Sequence, residues 1–149
     1  MSNKISKKEG KKAKNSEKYI LWVEDERMLA ELYNEVIRVM GGIKVDFLEL
    51  GQDAINRIKE IQEGTAQKPD LVILDLLLPD INGDKICEVL RNTPETKDIK
   101  VFVLTNYGGE QMQEKMIKEL KIEQYLIKTS WSPSSLMPLL KKTLGLIKK

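Results

Sequence analysis

Five short apolar runs punctuate this 149-residue chain, and the first four are each followed by a stretch whose apolar residues recur every three or four positions. The runs are YILWV (19–23), IKVDFLEL (43–50), LVIL (71–74), KVFVLT (100–105) and QYLIK (124–128). The stripes between them are Leu29, Leu32, Val36 and Val39; Ile55, Ile58 and Ile61; Ile86, Val89 and Leu90; and Met112, Met116, Ile117 and Leu120. Spacing of three and four marks one face of a helix. A strand with almost no polar alternation has no face to give to water, so it needs cover on both sides. Strands that alternate with helices pair in parallel, because the helix makes the crossover. The expectation is an α/β fold, a doubly wound five-stranded parallel sheet with helices on both faces.

Turn chemistry supports the same division. Gly41-Gly42 and Gly64 stop the first two helices, PDING leads from the third strand into the third helix, and Pro94 ends it. Gly108-Gly109 opens the fourth helix. In the fifth, Ser132 is placed to cap and Pro133 to occupy the first position, while Pro138 should kink or loosen the first turns.

Composition bounds the chemistry. With 41% hydrophobic and 32% charged residues, the length suits one domain with a proper core. No stretch is apolar and long enough for a membrane span or a signal peptide, so a cytoplasmic location is the default expectation. The single cysteine, Cys87, reads as a small core residue on a helix, and the absence of histidine removes Ser/His/Asp and Cys/His nucleophiles. Residues 1–18 hold seven lysines against two glutamates, a net of +5, which leaves −3 for the rest. They have little to bury, so a disordered basic tail is expected over 1–18, with the folded domain over 19–149. Without interleaved aromatics, that tail reads as a solubilising extension rather than a nucleic-acid arm.

In doubly wound sheets ligands sit beyond the carboxyl ends of the strands. Strands one, three, four and five are closed by Glu24-Asp25, Asp75, Thr105 and Lys128, which should crowd one rim. Asp75 is the odd one, a carboxylate inside LVILDLLLPDING. It either marks a strand end facing water or meets a cation or donor, since a buried unpaired charge is costly. Three converging carboxylates repel, and a hard divalent cation such as Mg2+ relieves them while keeping waters and room for a phosphoryl group. Lys128 and the Thr105 hydroxyl could then bind phosphoryl oxygens, and Asp75 could act as nucleophile.

At this point the chain, from Tyr19 to about Ile147, resembles the response-regulator receiver domains of two-component signalling. The resemblance is carried by WVEDE with Glu24 and Asp25, LVILDLLLPDING with Asp75, Pro79 and Gly83, FVLTN with Thr105, and YLIK with Lys128. It implies a flavodoxin-like strand order 2-1-3-4-5. It implies Asp75 as phosphoacceptor, with Thr105 and Lys128 as its catalytic partners. Mg2+ would be held by Glu24, Asp25, Asp75 and the Leu77 carbonyl. Tyr125 would act as a switch with Thr105. Two residues depart from the family's pattern. The acidic pair is Glu-Asp rather than Asp-Asp, and Thr129 stands where a cis proline usually follows the lysine. A cis bond before a non-proline costs about 2.5–4 kcal/mol, so a trans Lys128-Thr129 bond is expected.

The resulting expectation is a stand-alone module that catalyses only its own phosphorylation and dephosphorylation, as a monomer or weak dimer. Its phosphodonor would be a sensor histidine kinase or phosphotransfer protein. Output would pass to a protein partner through the face of helix 4, strand 5 and helix 5, without specific DNA binding or membrane insertion. Two alternatives stay open. One is a receiver-shaped interaction module that is never phosphorylated. The other is an Asp-nucleophile phosphatase of the haloacid dehalogenase type, against which Leu77 stands where that family places a second acid.

Overall fold

The computed structural model describes residues 17–146. The expected basic tail lies outside the described residues except for its last two, and Lys18 already belongs to the first strand. The elements are β1 (Lys18–Val23), α1 (Arg27–Met40), β2 (Ile43–Leu48), α2 (Gly51–Glu63), β3 (Leu71–Leu74), α3 (Gly83–Asn92) and β4 (Lys100–Thr105), then α4 (Glu110–Glu114) prolonged by a π-helical turn (Lys115–Glu119), β5 (Gln124–Ile127) and α5 (Pro133–Thr143). All strands are parallel, in the order β2-β1-β3-β4-β5.

Strand side chains alternate between two cores. Leu21, Val23, Val72, Leu74, Val101 and Val103 join Ile58 of α2, Ile86 and Leu90 of α3 and Met116 beyond α4. Ile20, Trp22, Leu71, Ile73, Phe102 and Leu104 join Tyr33 and Ile37 of α1 and Leu136 and Leu140 of α5. The sheet is therefore covered on both faces, and each fully buried aliphatic contributes about 1.5–3 kcal/mol. Cys87 is buried in α3, as its place in the helix pattern predicts, and burial pushes its thiol up to about 11. Ser132 and Ser135 form a reciprocal capping box at the start of α5, which runs through Pro138 to Thr143.

Two helix stripes differ from the sequence reading. In α1 the buried residues are Ala30, Tyr33 and Ile37; of the stripe, Leu29 and Val36 are half-buried against the same core, while Leu32 is 49% and Val39 76% exposed. The reason is Tyr33, whose ring lies 4.8 Å from that of Trp22 and rotates the buried face around the helix. In α4 the i→i+5 bond from Leu120 N to Lys115 O widens the helix and shifts its phase. Met116 and Leu120 stay buried, whereas Ile117 turns outward.

Candidate functional site

The sheet register brings the rim together. Val23 pairs with Leu74, so Glu24 and Asp75 follow on neighbouring strands, and Asp75 N donates to Val23 O at 3.1 Å. Thr105 closes β4 beside Ile127, the residue before Lys128. The loop after Asp75 is packed hard against the start of α3. A Cβ on Gly83 would lie 2.3 Å from the Asp75 carbonyl oxygen and 2.8 Å from Leu76 Cα, so only glycine fits there.

Lys128 is the hub of the rim. Its Nζ donates to Asp75 Oδ2 at 2.8 Å, Glu24 Oε2 at 3.0 Å and Glu26 Oε1 at 3.3 Å. The Lys128-Thr129 bond is trans, as expected, and the ammonium reaches Asp75 in that geometry. Burial alone would lower the lysine's proton affinity, but its bonds to Asp75 and Glu24 outweigh burial and raise it. Burial pushes the Glu24 carboxyl up to about 7, although Lys128 and the Glu26 N–H pull the other way.

The acidic residues fit a divalent cation. One carboxylate oxygen from each of Glu24, Asp25 and Asp75 lies within 4.8 Å of the others. Glu24 Oε1 is buried and has no hydrogen-bond partner. Such an orphaned hard oxygen, in a set of three, is the donor chemistry that Mg2+ or Mn2+ takes. Leu77 follows on the loop, and its N–H donates to Asp75 Oδ1 at 3.2 Å.

Thr105 and Tyr125 are placed differently. The Thr105 hydroxyl is fully buried and accepts from Tyr107 N at 3.3 Å. Tyr125 Oη donates to Tyr107 O at 2.6 Å, and burial above all raises its hydroxyl to about 12. The two residues thus hold opposite ends of one residue's backbone in the β4–α4 loop. Sequence reasoning missed two members of the rim. Glu26 adjoins the acidic pair in WVEDE, and that adjacency was its one signal. Asp80 sits in the PDING turn, which reads as turn chemistry alone.

Against known proteins, the profile described as "Response regulator receiver domain" matches residues 20–141. The chain is 36% identical over 88 residues to the phosphate regulon transcriptional regulatory protein PhoB of Rhizobium meliloti (strain 1021). That alignment covers 59% of this chain and 36% of PhoB, so the chain spans about a third of that relative's length. Among solved structures it is similar to the Mn(2+)-bound form of response regulator Rcp1, with 29% identity and TM-score 0.68, covering 87% of this chain and 91% of that one. It is also similar to the phosphorylated cyanobacterial phytochrome response regulator RcpA, with 26% identity and TM-score 0.69 over the same shares. Since the family match runs from β1 into α5, across every strand that supplies the rim, the chain belongs to the response regulator receiver domains.

Proposed function

We propose that this chain is a phosphorylatable receiver of a two-component phosphorelay, accepting a phosphoryl group from a histidine kinase onto Asp75 with Mg2+ and signalling through a partner protein. The observation that carries the reading is the Lys128 ammonium, 2.8 Å from Asp75 and 3.0 Å from Glu24, two of the three carboxylates that converge at the rim. Glu24, Asp25, Asp75 and the Leu77 carbonyl would hold the metal. When bound, it supplies positive charge that offsets the transferring group's oxygens.

The chain's own residues account for the rest. A carboxylate oxygen of Asp75 attacks phosphorus; the new O–P bond forms as the donor's N–P bond breaks, and the electron pair stays on the leaving imidazole, which takes up a proton. Lys128 remains an ammonium throughout and balances charge on the phosphoryl group. Thr105 offers its hydroxyl proton to a phosphoryl oxygen, and its bond from Tyr107 N links that movement to Tyr125. Turnover is confined to the domain's own acyl phosphate. Output passes through the α4–β5–α5 face of a monomer or weak dimer. The proposed location is the cytoplasm, where a histidine kinase would supply the phosphoryl group.

The test is acyl-phosphate labelling with a small-molecule phosphodonor and Mg2+, together with calorimetric Mg2+ titration. Asp75→Asn abolishes labelling, and Asp25→Asn weakens Mg2+ binding at least about tenfold, or roughly 1.4 kcal/mol. Persistent labelling of Asp75→Asn would overturn the phosphoacceptor.

A further inference from the structure

The loop from Asp75 to Gly83 carries the phosphoacceptor at one end and Leu77 two residues on. Within the loop, Leu77 N donates to Asp75 Oδ1 at 3.2 Å and Gly83 N to Leu76 O at 2.8 Å. Asp80 ties the loop to another element. Asp80 Oδ1 accepts from Gly51 N at 2.8 Å and Asp80 Oδ2 from Gln52 N at 2.9 Å, the first two residues of α2. Asp80 Oδ1 also accepts from Ile81 N at 2.9 Å.

Helix α2 has no side-chain cap of its own, because Leu50 stands at its N-cap position. Asp80 supplies that cap from another loop, with its charge facing the positive end of the helix dipole. The approach is close. A Cβ on Gly51 would lie 2.9 Å from Ile81 Cβ and 3.2 Å from Asp80 Oδ1. The N–H of Gln52, ahead of the other backbone donors, holds the Asp80 carboxyl below its ordinary value. A cap for α2 alone could have come from position 50, whose extended backbone suits Ser or Asp. Placing it on the phosphoacceptor's loop couples two elements that are remote in sequence.

We infer that Asp80 is a positioning residue for the phosphorylation site: its bonds to the amino end of α2 set the backbone of Leu77 against Asp75. Its functional meaning rests on the reading of Asp75 as phosphoacceptor. The geometric part does not.

The experiment uses the full chain, Asp80→Ala, Asp80→Asn, and the double variant Leu50→Asp with Asp80→Ala, which returns a cap to α2 without the tether. Amide hydrogen exchange at Leu77 in metal-free protein is measured relative to Leu74 in the β3 core, alongside urea midpoints and Mg2+ affinity. In Asp80→Ala, Leu77 exchanges about tenfold faster or more, and Mg2+ binds more weakly. Asp80→Asn, with one acceptor oxygen left, falls between. The double variant recovers stability but leaves Leu77 exchange fast. The inference is overturned if Asp80→Ala leaves Leu77 exchange unchanged, or if Leu50→Asp restores exchange and stability together, which would make Asp80 a remote cap only. If Leu77 responds as expected while the wild type neither binds Mg2+ nor takes a phosphoryl group, the tether stands and the phosphorelay reading falls.

Discussion

Leu77 and Tyr107 stand two positions after Asp75 and Thr105, and they are the residues best placed to govern how long an acyl phosphate survives. Both reach solvent, at 55% and 43% exposure, and the Tyr107 ring lies over Gly109. Hydrolysis needs a water aligned opposite the scissile bond, and neither an aliphatic chain nor a packed aromatic ring orients one. The expected acyl phosphate therefore decays over minutes to hours. Leu77→Asn and Tyr107→Glu each accelerate decay by roughly 10- to 100-fold, about 1.4–2.7 kcal/mol of barrier. Phosphorylating with a small-molecule donor, removing it and following the label checks this. Decay in seconds for the wild type, or no acceleration in either variant, counts against shielding by these side chains.

Elements are locked to one another by charged side chains that reach backbone carbonyls. Arg91, in the last turn of α3, donates to Leu120 O at 2.7 Å, Ile99 O at 2.7 Å, Lys97 O at 2.9 Å and Lys121 O at 3.3 Å. It ties α3 to the start of β4 and to the end of the π-helical turn, where Lys121 adopts a left-handed φ of 53°. Arg91→Ala should cost at least about 1.5–3 kcal/mol, the worth of a charged hydrogen bond. Arg91→Lys should not recover it, because an ammonium lacks the planar fork; urea unfolding of both variants decides. At the β1–β2–α2 corner, Asp46 Oδ2 accepts from Tyr19 Oη at 2.6 Å and Arg57 Nη1 at 3.1 Å. Burial works to raise the Asp46 carboxyl, but these two donors outweigh it and hold it below its ordinary value. A depressed carboxyl stabilises the fold above its unfolded value, and that contribution is lost as pH falls through the folded value. Asp46→Asn should accordingly be less stable than wild type at pH 7. The gap should close as pH falls below the ordinary carboxylate range, in urea midpoints taken across pH.

Across the whole molecule, one loop bonds both to Thr105 at the rim and to Tyr125 on β5. Tyr107 N binds the Thr105 hydroxyl and Tyr107 O receives Tyr125 Oη, so a shift of Thr105 toward a phosphoryl group alters the backbone that anchors Tyr125. Phosphorylation adds up to about two negative charges, enough to bias an existing equilibrium rather than create a new fold. Tyr125→Phe should leave Asp75 labelling intact while shrinking the phosphorylation-induced amide shift changes around Met112, Tyr125 and Lys141. Undiminished changes there, or changes concentrated on α1 instead, would show that the signal leaves by another surface.

The strands, their parallel pairing and the place of Glu24, Asp25, Asp75, Thr105 and Lys128 at the strand ends were legible in the chain, because apolar runs and strand-end positions are local properties of sequence. The trans Lys128-Thr129 bond was favoured by the cost of a cis peptide without proline, but the sequence did not decide it, because the family's geometry pulled the other way. Side-chain reach and helix phase were not legible. Tyr33 turns the buried face of α1 because it meets Trp22 in the same core, and one π turn swings Ile117 outward; apolar spacing of three and four records neither the ring contact nor the change of helical pitch. Glu26 joins Lys128, and Asp80 caps α2, across separations of 102 and 28 or 29 residues. Periodicity records which residues avoid water. Which carboxylate meets which ammonium or helix end is decided only when parallel strands in register bring remote loops to the same rim.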